Sequence, residues 1–123
     1  MKYIKNRIYS FRCAFHGIGL LFRETPNALI QLGAAIAALL MGLFFHISKV
    51  EWLILVLLIG LVLSLEAINS ALEHLSDYAS RKEIHPSIKK VKDLSAAAVL
   101  IMAIAALVVG IAIFLPRIVL LFE

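Results

Sequence analysis

The chain has 123 residues, 63% of them hydrophobic and only 16% charged, against about 45–50% apolar and about 25% charged in an average soluble domain. With a mean hydropathy of +0.99, it is neither a disordered chain nor a disulfide scaffold, and Cys13 is its single cysteine. So short a chain buries too little surface to hide this much apolar area by itself, so lipid, partner subunits or both must cover the rest. Twelve Lys and Arg against eight Asp and Glu give a net charge of +4. The basic residues cluster between apolar runs, which suits anionic lipid headgroups rather than nucleic acid.

Residues 4–23 read as an amphipathic helix. Ile4, Ile8, Phe11, Phe15, Ile18 and Phe22 recur in steps of three and four, and at about 100° per residue they fall in one stripe about 80° wide. Lys5, Arg12, His16 and Arg23 form a second stripe beside it. This pattern suits a helix lying in a membrane interface, apolar side in lipid and cations toward phosphates. Packing of the stripe on the chain's own bundle is the alternative. No cleavable signal peptide is expected, because no continuous apolar core precedes a small-residue cleavage site.

Thr25 and Pro26 then suit a helix start, threonine as N-cap and proline in the first turn. No charge occurs from Thr25 to Ser48. Roughly 20 apolar residues cross a bilayer, so 28–45 is the first expected span, with Gln31 its one strongly polar residue. A short connection leads to Trp52, a suitable interfacial aromatic. The helical pattern then runs unbroken through the uncharged stretch 52–65 and into Glu66, Asn69, Glu73 and Asp77. One helix is therefore expected over 51–77. At ~1.5 Å per residue it is ~40 Å long, longer than the ~30 Å hydrocarbon core, so its polar end must sit near one interface.

Residues 78–93 read as a polar loop carrying Arg81, Lys82, Lys89, Lys90 and Lys92, with Pro86 as a breaker. Residues 94–116 form the third expected span. Ser95, Ala96, Ala97 and Ala98 at its start allow close helix approach. The expectation is a single all-α membrane domain over 1–123, an interfacial helix followed by three transmembrane helices. Five basic residues precede the first span, one lies in the first connection, five in the second and one beyond the third. The positive-inside rule then puts the N-terminus and the 78–93 loop in the cytoplasm.

The chemistry sits on the second span. On a helical wheel Glu73 falls about 20° to one side of Glu66 and Asp77 about 20° to the other. Ser70 lies about 40° from Glu66, on the side of Asp77, and Asn69 about 60° away, on the side of Glu73. One face therefore carries three acids, an amide and a hydroxyl. Glu66 lies 15 residues past Glu51, or ~22 Å along the axis, several Å inside the cytoplasmic edge of the bilayer. A carboxylate at that depth costs several kcal/mol unless it is paired, protonated or metal-bound, and acids on one face repel one another. Lys92, beside Asp93, is one compensating cation. Mg²⁺, which takes hard oxygen ligands and commonly binds one or two carboxylates plus substrate phosphates, is the other. A polar patch that holds the bundle together is the plainer reading. His16, His74 and His85 form no zinc spacing with a cysteine, and the chain has no phosphate loop or G-x-S-x-G.

The run Glu66-Ala-Ile-Asn-Ser-Ala-Leu-Glu73, then Asp77, then Lys92-Asp93-Leu-Ser-Ala-Ala-Ala-Val, closely resembles the prokaryotic diacylglycerol kinase family, small three-span lipid kinases that include undecaprenol kinases. The resemblance runs from the amphipathic helix through Pro116. It implies an ATP-dependent, Mg²⁺-assisted lipid kinase in the bacterial cytoplasmic (inner) membrane, a homotrimer with composite sites facing the cytoplasm. The acceptor would be diacylglycerol or undecaprenol. By resemblance Glu66 is the general base and Asn69 its support. Glu73 binds metal and nucleotide, and Asp77 is a neighbouring acid. Glu83, Ile84 and His85 match a nucleotide-contacting loop, and Lys92 and Asp93 a phosphate- and nucleotide-contacting pair. The family's second metal-binding Glu aligns with Thr25 here, and Glu24, one residue early, is the candidate in its place. The rival readings are a weakly active relative and a small helical oligomer acting as scaffold or ion pathway.

Overall fold

The computed structural model describes residues 1–81 and 83–123. Lys82, counted above among the basic residues of the second connection, lies outside the described residues. Four helices follow in order: α1 (Lys2–Glu24), α2 (Pro26–Phe45), α3 (Lys49–Ser80) and α4 (Pro86–Leu121). The last three are long and apolar enough to cross a membrane.

Each break has a local cause. A residue before proline is pushed out of the helical region, and Thr25 and His85 are both extended ahead of Pro26 and Pro86. Thus α1 stops at Glu24 and α2 starts afresh at Pro26. The α2–α3 turn is short because His46 takes the left-handed conformation (φ 52°) that closes a helix C-terminus. Ser48 and Glu51 then form a reciprocal capping box: the Ser48 side chain accepts from the Glu51 N–H at 3.2 Å, and the Glu51 carboxylate from the Ser48 N–H at 2.9 Å. Gly42 permits this turn, since a Cβ there would come within 2.8 Å of the Trp52 ring.

Two expectations at the helix ends are corrected. Residues 78–93 are not one loop. Helix α3 continues to Ser80, Arg81 ends it with φ 52°, and α4 already begins at Pro86. Proline here opens a helix, since its missing N–H costs nothing in a first turn, and a Lys89–Asp93 pair at i,i+4 supports that turn. At the other end, Pro116 does not stop α4, which carries on to Leu121. In an apolar solvent a backbone that leaves the helix loses bonds it cannot replace. The Arg117 guanidinium also donates to the Ile113 carbonyl at 2.7 Å beside the proline.

Helices α3 and α4 form the main pairing and α2 packs across them. The apolar core gathers Ile47, Leu55, Ile113 and Phe114 at the end near the α2–α3 turn. There Arg117 grips Glu51 with two parallel bonds of 2.7 and 2.9 Å. On α1, Ile4, Ile8, Phe11, Phe15 and Ile18 are all more than half exposed. From Ile4 to Ile18 the apolar stripe therefore stays largely uncovered by its own chain, and only its last member, Phe22, is partly buried.

Candidate functional site

The polar ridge of α3 runs along the half of the bundle remote from that core. Its innermost member, Glu66, is 1% exposed and the largest side chain that the described residues bury completely. It is reached from α2: Gln31 Nε2 donates to Glu66 Oε2 at 3.5 Å. Among the described residues no cation pairs with it, and this amide is its hydrogen-bond partner. A buried carboxylate so thinly compensated is costly unless another group completes the site.

One turn on, Asn69 Oδ1 accepts from Ser95 Oγ at 2.7 Å, with the Lys92 carbonyl 3.0 Å from the same hydroxyl as a second acceptor. Ser95 is buried. This contact fixes which way the Asn69 amide points. By sequence Ser95 counts only as a small residue; its polarity at the start of an apolar span is the signal that marks it. Further along, Lys92 Nζ donates to Asp77 Oδ1, joining α4 to α3 as the charge arithmetic requires. Glu73 is exposed and adds to the negative field around the Lys92 ammonium.

The remaining expected residues lie outward. Asp93 turns to Lys89 on its own helix, at 2.7 Å. Glu83 and His85 approach each other at 3.7 Å in the connection, and Ile84 is almost fully exposed. These four sit beside the ridge at the same end of the bundle without entering it.

The one-residue slip at the end of α1 is mild in its geometry. Thr25 Oγ1 meets Ser70 Oγ at 3.3 Å, and Glu24 Oε2 lies 3.9 Å from His74 Nε2. Because the chain leaves the helix at Thr25, both residues face the same stretch of α3, and Glu24 reaches the neighbour of Glu73. A cleft of about 390 Å³ opens between α1 and α3 here, lined by Gly17, Glu24, Ser70 and His74 among others.

The donor chemistry suits Mg²⁺ held jointly with a nucleotide. Among the described residues no three His, Cys, Asp or Glu side chains converge into a ready cage. Mg²⁺ seldom uses one; it keeps waters and takes one or two carboxylates plus phosphate oxygens. Exposed Glu24 and Glu73 are carboxylates of that kind.

Comparison with known proteins meets this geometry. Residues 12–114 match the family model described as prokaryotic diacylglycerol kinase. The chain belongs to the prokaryotic diacylglycerol kinase family. It is 40% identical over 113 residues to an undecaprenol kinase of Bacillus subtilis, covering 91% of each chain. It is 34% identical over 111 residues to a diacylglycerol kinase of Synechocystis, covering 90% of this chain and 63% of that protein. The matched region of this diacylglycerol kinase family member contains every ridge residue, from Glu66 to Asp77, together with Gln31, Lys92 and Ser95, which bond to them.

Proposed function

We propose that this protein is a membrane lipid kinase that transfers the γ-phosphate of ATP to a lipid alcohol, yielding phosphatidic acid from diacylglycerol or undecaprenyl phosphate from undecaprenol. The observation that carries the reading is the fully buried Glu66 at the head of an acidic ridge, in a chain of this family. Phosphoryl transfer asks a protein mainly for positioning and charge neutralisation; the ridge would supply the first, and Lys92 with a cation held by the acids the second.

In this reading Glu66 is the general base. It takes the hydroxyl proton as the alcohol oxygen bonds to the γ-phosphorus, the bond from that phosphorus to the bridging oxygen breaks, and ADP leaves. Asn69, oriented by Ser95, supports the reacting group. Glu73 and Glu24 would hold Mg²⁺ together with the nucleotide; when bound, the ion neutralises phosphate charge. Lys92, pinned by Asp77, faces the phosphates. Glu83, Ile84, His85 and Asp93 form the outer wall toward the nucleotide base. The protein lies in the cytoplasmic membrane as a homotrimer, the ridge toward the cytoplasm where ATP arrives and α1 in the interface beside it. The higher identity to the undecaprenol kinase ranks the polyprenol first among acceptors.

The test is transfer of labelled phosphate from ATP to a panel of lipid alcohols by the purified protein in mixed micelles. Phosphorylated undecaprenol or diacylglycerol is expected, and loss by at least about 10²-fold in Glu66→Gln, the usual weight of a general base. Absence of product with every alcohol returns the chain to the scaffold or ion-pathway reading. Exchange of residues 24 and 25 to Thr-Glu is expected to change activity little, because both positions already face α3.

A further inference from the structure

A cavity of about 480 Å³ forms an apolar groove between α2, α3 and α4. Its size falls in the range of small-molecule sites. Its α3 wall is formed by Leu55, Ile59 and Val62 among others, which at about 100° per residue lie within about 40° of Glu66. The groove is therefore the direct continuation, toward the membrane centre, of the face that carries the buried carboxylate. Ala38 and Met41 on α2 and Ala106 and Gly110 on α4 form the opposite walls; these are mostly small residues, and they leave the space open.

Gln31 stands at the head of this groove. Its Nε2 is spent on Glu66, whereas its Oε1 is shielded from solvent and is the buried polar side-chain atom without a hydrogen-bond partner among the described residues. An orphan acceptor in an apolar wall is costly, and it is met by a hydrogen-bond donor that enters with an apolar body attached. A lipid alcohol has that shape: one hydroxyl donor on a long hydrocarbon chain.

We infer that the groove seats the hydrocarbon chain of the acceptor lipid and that Gln31 Oε1 receives its hydroxyl, holding the alcohol oxygen beside Glu66. The inference rests on the kinase reading and adds to it a specificity pocket. The hydroxyl donates first to Gln31, and Glu66 takes the proton only as the phosphate arrives, so Gln31 acts in binding more than in transfer. Small wall residues set how much chain the groove admits.

Two variants and one probe test this in the full chain. Ala106→Trp fills the groove far from Glu66. It is expected to raise KM about tenfold or more for long-chain alcohols and clearly less for a short-chain alcohol with the same head. Gln31→Leu is expected to raise KM about fivefold for both lengths, the weight of one neutral hydrogen bond, and to lower kcat as well, since Gln31 is also the hydrogen-bond partner of Glu66, with recovery of KM in Gln31→Asn or Gln31→His. A lipid alcohol carrying a photoreactive group on its tail should label Met41 or the residues around Ala106. Equal effects of Ala106→Trp on long and short acceptors, or labelling confined to the outward faces of the helices, overturn the inference. So do cross-links showing the groove filled by a helix of a second copy. A wild-type protein that phosphorylates no alcohol fails the kinase reading instead, so the two failures are distinct.

Discussion

Ser95 shows how a single hydroxyl can matter in an apolar helix. Its Oγ meets Asn69 Oδ1 at 2.7 Å from the start of α4, so the Asn69 amide nitrogen is left pointing away from α4. Ser95→Ala removes this anchor of the amide and frees it to turn. The expected outcome is a kcat about tenfold lower with KM for ATP nearly unchanged, and partial return of activity in Ser95→Thr, which keeps the hydroxyl; steady-state kinetics in mixed micelles checks both. An unaltered kcat in Ser95→Ala would make the contact mere packing. Which ridge residues share a face was legible in the sequence, because helical spacing fixes angles. The partners were not: Gln31 lies 35 residues before Glu66 and Ser95 lies 26 after Asn69. Such pairings follow from helix register, which spacing within one helix does not contain.

At the scale of elements, the helices are held at two ends by different means. Beside the ridge, Lys92 and Asp77 tie α4 to α3. At the far end the Ser48 capping box, the Arg117–Glu51 fork and the close approach of Gly42 to Trp52 act together. Gly42→Val would drive a side chain into the Trp52 and Ile47 side chains, and overpacking of this kind costs typically about 1–3 kcal/mol. The expected result is a clearly lower midpoint of thermal unfolding in detergent, with residual activity per folded molecule preserved because the ridge is remote; circular dichroism and assay of the same samples decide it. Helix existence was legible from hydropathy, and helix ends were less so. Pro86 reads as a breaker and the third span is expected to end at 116, yet Pro86 opens α4 and Pro116 lies within it. The same residue type serves both roles, and what decides is whether the flanking backbone has another way to satisfy its bonds. For the segment after Pro116, surrounded by Val119, Leu120 and Leu121, continued helix is the only economical answer in lipid.

For the whole molecule, the decisive quantity is how much apolar surface remains outside. From Ile4 on α1 to Phe122 beyond α4, large apolar side chains stand exposed on every helix. For α2, α3 and α4 a bilayer covers them. For α1 the question is sharper, because its stripe could be covered only by the interface or by a neighbouring subunit. The native cysteine answers it. On the α1 wheel Cys13 falls on the side opposite the centre of the Ile4–Phe22 stripe, and it is exposed. If α1 lies in the cytoplasmic interface, a membrane-impermeant thiol reagent should modify Cys13 rapidly in inside-out vesicles and scarcely at all in right-side-out ones. In a Cys13→Ser background, Phe15→Cys should be slow in both, since that position sits within the stripe. Fast modification of Phe15→Cys would place the stripe in water and remove α1 from the membrane surface. Modification of Cys13 from the outer side would reverse the charge-derived topology, and the ridge would then face away from ATP.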